Sequence, residues 1–476
     1  VPSKLNKAII KSVSGQLSVY IVQFLALIIY ARLFSPEEFG IIASIQVFVL
    51  FFQMIANVGI GPAIINEDEF ESKKRDGIFT VTAIMGGILA VLFFFFSYSL
   101  NSFYGEYEYQ QIAILVCVAI LFNSLSIVPT TALNKDTKFL KLASINALAE
   151  CIALAFVYSL YLQNFGVLAL AIRPAIQAIV KFVFIWCVSS NTELGRANFG
   201  SELYHIKSIL AFSLYQFGFN VINFFSRNLD NILIAKYFGM SFVGVYEKSY
   251  QLMRYPLMVT TFAMAPAIQP VLTKVRNNKD KVIKEHNSLT CKLLAISIPI
   301  SIFIYLNAEN IVIGLFGKQW VGVIPLIKIF SLMIPIQAVS SSSGAFFQVM
   351  NKPHVLFVSG AISAFVNVTG IVIGIVLGEM EYVAFALVIG FSINFFQTYF
   401  TLFKYCFGTN PKEFYFGLLK VVCVVLLPSI LYCVINIGFI TRYSLSVWLD
   451  LLVNILVGFM SIFIFYTPLK KILQNS

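Results

Sequence analysis

The sequence predicts an all-α integral membrane protein of about fourteen transmembrane helices, arranged as two pseudo-symmetric six-helix lobes with two extra helices after them. Three observations predict it. Apolar runs of about 20 residues, the length a helix needs to cross ~30 Å of hydrocarbon, recur from one end of the chain to the other. Basic residues alternate from loop to loop. Residues 31–65 recur without a gap at 235–269. Composition points the same way: the chain is 59% hydrophobic and 12% charged, with 48 Phe among 476 residues. The longest polar interval is about 15–20 residues, too short for a soluble domain. The runs are also too long and too uniformly apolar for barrel strands, which alternate over about ten residues.

The first span lies near 12–33 and is not followed by a small-residue cleavage site, so it reads as a retained helix and not a signal peptide. The rest lie near 40–65, 77–100, 110–132, 141–162, 166–188, 208–235, 242–270, 289–308, 325–349, 355–377, 382–403, 414–437 and 446–466. Loop charges justify them in turn. Inside loops carry Lys4, Lys7 and Lys11; Lys73, Lys74 and Arg75; Lys135, Lys138 and Lys141; then Arg196 and Lys207. A cluster from Lys274 to Lys292 follows, then Lys352, Lys404 with Lys412, and Lys470 with Lys471. Outside loops hold only Arg32, Lys236, Lys318 and Arg442, so 22 basic residues stand against 4. The bias puts both termini in the cytoplasm, and one missing helix would break the alternation. It also accounts for the net charge of +11, which therefore does not argue for nucleic acid.

The repeat sets the domains. Ala31, Phe34, Gly40, Met54, Pro62, Ala63 and Ile64 match Ala235, Phe238, Gly244, Met258, Pro266, Ala267 and Ile268, each 204 positions later. Ala132-Leu133-Asn134-Lys135 is echoed by Val349-Met350-Asn351-Lys352. A duplicated bundle with both halves starting inside is a parallel repeat. The expected division is 1–190 (helices 1–6), 191–410 (helices 7–12) and 411–476, an appendage of helices 13 and 14 without repeat partners. Pro62, Pro129, Pro174, Pro256, Pro266, Pro299 and Pro335 fall inside spans and are expected to bend them or to be tolerated there. The seven cysteines lack metal-like spacing and read as small buried hydrophobes. His205, His286 and His354 sit ungrouped in predicted cytoplasmic loops. Neither a metal site nor a cofactor is expected.

Polar residues inside spans carry the functional reading. In helix 7, Gln216, Asn220, Asn223, Arg227 and Asp230 are spaced 4, 3, 4 and 3, which places them on one face. Helix 8 adds Glu247, Gln251 and Arg254 at like spacing, with Lys248 beside them. Helix 1 offers Gln16 and Gln23; helix 2 offers Gln46, Gln53 and Asn57. The first half supplies Glu150 and Arg173 as its charges. Such groups cannot face lipid, since a charge at the bilayer centre costs at least about 2.5–3.5 kcal/mol. They line a hydrated central cleft between the halves or, on the plainer reading, act as interhelical glue. Arginine stays protonated and forks onto phosphate oxygens, so Arg173, Arg227 and Arg254 with Lys248 suit an anionic, phosphate-bearing solute. Asp230 and Glu247 are candidates to bind a proton or sodium ion that drives the cycle. Lys181, Lys328 and Lys420 lie near predicted helix ends and read as snorkelling to headgroups.

The run from Phe224 through Ser226-Arg227-Asn228-Leu229-Asp230-Asn231 to Ile234, then Phe238-Gly239, Gly244-Val245-Tyr246 and Tyr250-Gln251-Leu252, resembles Wzx-type polysaccharide-export flippases. The likeness is to the branch of colanic and teichuronic acid exporters, in the multidrug/oligosaccharidyl-lipid/polysaccharide superfamily. Tyr30 to Gly40 resembles that family's first hairpin, and Gly317-Lys318-Gln319-Trp320 its GxxW turn. The likeness covers most of residues 1–410. The resemblance implies two six-helix lobes around a cationic cavity. It implies a flippase that carries an undecaprenyl-diphosphate-linked oligosaccharide from the cytoplasmic to the periplasmic leaflet of the bacterial inner membrane by alternating access. The implied partners are that lipid, a proton or sodium ion, membrane lipids and polysaccharide polymerase machinery, with O-antigen, lipopolysaccharide or exopolysaccharide as end product. An antiporter of small cationic drugs on the same fold would favour carboxylates over arginines. A lipid II flippase remains a close rival. A sugar polymerase would need a sizeable outside loop with catalytic acid or base residues, and the loop near 309–324 has only Glu309 as a carboxylate. No G-x-x-x-x-G-K-[ST] loop occurs, so ATP is not the direct driver.

Overall fold

The computed structural model describes residues 2–57, 60–61, 64, 71–205, 221, 224–258, 272–273, 276–438, 446–465 and 467–468, and every described element is a helix. The chain divides into two compact units, Val1–Gly244 and Val245–Ser476. The first holds α1 (Pro2–Leu33), α2 (Pro36–Asn57), α3 (Ser72–Tyr104), α4 (Tyr109–Leu125), α5 (Ile127–Lys135), α6 (Phe139–Leu162), α7 (Val167–Ala171), α8 (Arg173–Ser189) and α9 (224–237). Helix α10 (Met240–Leu257) runs across the division. The second unit continues with α11 (Lys279–Leu306), α12 (Ala308–Leu315), α13 (Val323–Ser331), α14 (Met333–Val349) and α15 (Pro353–Val376). It closes with α16 (Met380–Thr401), α17 (Pro411–Gly438) and α18 (Val447–Ile464).

Among the described residues, 11 helices are long and apolar enough to cross a membrane, up to 12 when the bent pair α13–α14 is counted as one span. These match the expected spans other than the seventh and eighth (near 208–235 and 242–270), which lie partly outside the described residues. Their outward faces suit hydrocarbon: Val376 and Phe463 are each 79% exposed and Phe365 73%.

Three of the prolines sit just inside helix starts. Pro129 and Pro335 are third residues of α5 and α14, and Pro174 is the second of α8. In the first turn a missing N–H leaves no bond unmade, so each proline fits the start of a new segment. The break before α14 bends its span by 53°. Pro256 and Pro299 stay within helices; Pro62 and Pro266 are outside the described residues.

In the second unit, α11 begins at Lys279, capped by the Asn278 side chain accepting from the Lys281 N–H at 3.0 Å. That start is ten residues before the expected span, so His286 is a helix residue and not a loop residue, and it is fully buried. Rings of Phe346, Tyr399, Phe403, Phe407 and Phe414 surround it at 4.7–5.8 Å. A π-helical turn, Leu402–Phe407, follows α16 and carries two of those rings.

The terminal helices pack into the second unit. Phe414, Leu418, Val421 and Val425 of α17 are buried in one cluster with α11 and α14. A polar chain fastens the other end. Asn307 donates to the Tyr432 hydroxyl (2.7 Å), which donates to Asn454 Oδ1 (2.9 Å). Asn436 donates to the same oxygen (2.5 Å), and the Asn454 amide donates to the Asp450 carboxylate (3.3 Å), which also accepts from Asn310. Each polar atom buried at membrane depth needs a partner, and these supply one another.

The repeat leaves one contact in the first unit. A methyl group on Gly40 would overlap the Met240 carbonyl, and one on Gly244 the Pro36 carbonyl. Met240 is the repeat counterpart of Pro36, and Gly244 of Gly40. Helices α2 and α10 therefore cross by their first turns in a reciprocal, two-fold-like way that only glycine permits. Nearby, Tyr109 joins the Ser44 hydroxyl at 2.8 Å and reaches the Met240 sulfur at 3.9 Å.

Candidate functional site

The charged node of the first unit is Glu150 on α6, whose side chain is 3% exposed. The break after α7 starts α8 at Arg173, and Arg173, Gln177 and Lys181 then follow at intervals of four on one face. Arg173 forks onto the carboxylate, Nε to Oε1 at 3.1 Å and a terminal nitrogen to Oε2 at 3.0 Å. Gln177 donates to Oε2 at 2.5 Å, and the Tyr30 hydroxyl of α1 donates to Oε1 at 3.3 Å. The guanidinium also lies 4.6 Å from the Tyr30 ring centre. Four donors on two oxygens satisfy a carboxylate out of water, and the pair joins α1, α6 and α8. Arg173 itself keeps 29% of its side chain exposed. Lys181 lies within electrostatic reach of Glu150 and Arg173, eight residues before the end of the Val167–Ser189 span.

Of the expected polar faces, Gln16, Gln23 and Tyr30 share one side of α1, at intervals of seven. Gln16 is exposed and Gln23 half-buried; on α2, Gln46 and Gln53 are half-buried and Asn57 exposed. Among the described residues none of these five amides has a hydrogen-bond partner in the protein, so each is left for water or ligand. On α9, Arg227 is exposed with no ion pair among the described residues, whereas Asp230, three residues on, is buried and accepts from the Asn231 N–H at 2.9 Å. Gln216, Asn220 and Asn223 lie outside the described residues.

In α10, Glu247 is half-buried and Lys248 is buried, its ammonium donating to Gln251 Oε1 at 3.3 Å. Arg254 is exposed and unpaired among the described residues. The structure thus separates two kinds of arginine: Arg173 is held by a carboxylate, and Arg227 and Arg254 are not. Gln177 and Tyr30 escaped the sequence reading as partners of Glu150. The Arg173–Gln177–Lys181 spacing was the available signal for the first; a partner 120 residues away left none for the second.

Membrane-length helices that keep partner-free amides and guanidinium groups among apolar faces make a multi-pass membrane protein with polar groups left open for water or ligand. The chain belongs to the polysaccharide biosynthesis protein family, whose pattern matches residues 29–325. Similar proteins include the succinoglycan biosynthesis transport protein ExoT of Rhizobium meliloti, 23% identical over 78% of this chain and 74% of that protein. The teichuronic acid biosynthesis protein TuaB of Bacillus subtilis is 18% identical over 71% of this chain and 70% of its own. Among solved structures, an inward closed lipid II flippase MurJ shares the fold with a TM-score of 0.79 and 15% identity, covering 97% of this chain and 99% of that one.

Proposed function

We propose that the protein flips an undecaprenyl-diphosphate-linked oligosaccharide from the cytoplasmic to the periplasmic leaflet by alternating access, driven by protons or sodium, during surface polysaccharide assembly. The observation that carries this reading is the pairing state of the membrane arginines. Arg227 and Arg254 are exposed and have no counter-ion among the described residues. A guanidinium left open in an apolar protein is matched by an anionic group on the cargo, and a diphosphate fits its paired donors. The open amides Gln16, Gln23, Gln46, Gln53 and Asn57 are suited to sugar hydroxyls. Lys248 adds a further cation, and Asp230 and Glu247 are the carboxylates offered for ion coupling. The names of the relatives, one a transport protein for succinoglycan and one a protein of teichuronic acid biosynthesis, support saccharide cargo. They also support transport over polymerisation.

The test is translocation of a lipid-diphosphate-linked oligosaccharide in proteoliposomes under an imposed proton or sodium gradient, with Arg227→Ala beside the wild type. Movement that needs the protein and Arg227 supports the reading. Wild-type rates in the variant remove Arg227 from the site, and uptake of small cations without lipid movement replaces the reading with a drug antiporter.

A further inference from the structure

Glu150 has no part in the cargo contacts above, yet it is the most thoroughly coordinated carboxylate described in the first unit. We infer that Glu150 is an internal stand-in for the cargo's phosphate: it holds Arg173 until a phosphate oxygen takes the guanidinium, and it binds a proton as the exchange occurs. The inference rests on the diphosphate reading of the cargo and names the group that couples a proton to it.

The geometry supplies the exchange. A carboxylate and a phosphate both present two oxygens to the same guanidinium fork, so one can replace the other without moving Arg173. Glu150 is sealed from solvent at 3% exposure, whereas Arg173 is open at 29%, so an anion can approach the arginine from its open side. Lys181 lies two turns along the same face with no hydrogen-bond or ion-pair partner among the described residues, a second cation for a group with more than one charge.

Charge balance supplies the proton. The node holds one carboxylate and two cations, a net charge of +1. With a phosphate oxygen on its guanidinium, Arg173 no longer neutralises an ionised Glu150, and that carboxylate would stand uncompensated at membrane depth whatever cations meet the rest of the diphosphate, which is strongly disfavoured. A proton from solvent on one Glu150 oxygen restores the balance. Protonated on Oε1, the acid keeps Oε2 as the acceptor for Gln177, and its hydroxyl oxygen still accepts from Tyr30. The titratable groups facing Glu150 are Tyr30 from α1 and Arg173 and Lys181 from α8. Cys151 is its exposed sequence neighbour. Helix α7 carries no titratable residue, and α5 only Lys135 at its last position. A purely structural role, pinning α1, α6 and α8 together, predicts no proton uptake on binding.

The experiment is calorimetric titration of the full-length protein in detergent with farnesyl diphosphate, repeated in buffers of different ionisation enthalpy at one pH. Inorganic diphosphate is titrated alongside. The wild type is expected to take up about one proton per ligand, and Glu150→Gln to bind with none. Lys181→Gln is expected to bind about tenfold more weakly while still taking up the proton. Equal uptake with inorganic diphosphate assigns the site to the diphosphate group, and uptake with the prenyl form alone to the lipid-borne ligand; both support the exchange. Uptake that persists in Glu150→Gln, or binding to the wild type without uptake, overturns this inference and leaves the flippase reading standing. No binding of either ligand to the wild type overturns both. Should Glu150→Gln not fold, infrared difference spectra of the wild type decide: binding must raise the carbonyl band of a newly protonated carboxyl, and its absence overturns the exchange.

Discussion

Replacing Gly40 with alanine tests whether the crossing of α2 and α10 is as tight as it looks. The new methyl carbon would lie 2.5 Å from the Met240 carbonyl carbon and nearer still to its oxygen. Carbon atoms rest comfortably at about 3.5 Å and carbon against oxygen at only a little less, so the oxygen sets the demand and the two helix starts must part by more than about 1 Å. Both obstacles are backbone, and no side chain can rotate away. Overpacking of this kind costs about 1–3 kcal/mol, and the upper end applies where only backbone can yield. Gly87, within α3, is the control: a methyl there meets nothing within 4 Å. Alanine at that helical position should stabilise by about 0.5–1 kcal/mol. The same chemical change is thus expected to differ by about 3.5–4 kcal/mol between the two sites. Thermal unfolding of the purified variants at one scan rate reads this as a lower midpoint for Gly40→Ala and a raised one for Gly87→Ala. Gly244→Ala should match Gly40→Ala, and the double variant should lose less than the sum, because one parting relieves both clashes. A Gly40→Ala protein that melts at or above Gly87→Ala would refute the crossing.

The remaining predictions concern the polar groups. Arg227→Ala should abolish export while shifting stability by no more than about 0.5 kcal/mol, because the side chain is exposed and unpaired among the described residues; the check is translocation beside thermal unfolding. Glu150→Leu alone should cost about 3–5 kcal/mol by leaving Arg173 without its counter-ion, and adding Arg173→Met should recover much of that. A double variant no better than the single would show that the ion pair is not the source of the loss. Asn454→Ala strips Tyr432, Asn436 and Asp450 of a shared partner, at about 1–3 kcal/mol for each buried group left unmatched. Unchanged melting would remove that network as the anchor of α18.

What the sequence made legible was what lies within one helix. Apolar runs mark the spans, and prolines inside a span mark where α8 and α14 begin anew. The spacing of Arg173, Gln177 and Lys181 could be read as one face. What it hid was pairing between helices far apart in the chain. Nothing in the surroundings of Tyr30 names Glu150, and nothing near Asn307 names Tyr432 or Asn454, because hydropathy and spacing encode a face and not its neighbour. His286 was misplaced for a related reason. The lysines around it read as a solvated loop, but they extend a helix whose other side turns His286 into a ring of aromatic side chains. The repeat was visible as matched residues, yet that two of them touch each other's first turns could be seen only in three dimensions.

The π-helical turn at Leu402–Phe407 has a consequence for insertions and deletions. Such a turn accommodates one more residue than an α-helical turn of the same reach. Here it keeps Tyr399, Phe403 and Phe407, each four apart, against His286. Losing one residue would rotate everything beyond it by about 100° and swing Phe407 off the imidazole. Gly408, at φ 75°, and Pro411, which opens α17, lie just past that point. The angular frame in which the last two helices meet the second unit is therefore counted out by a single residue.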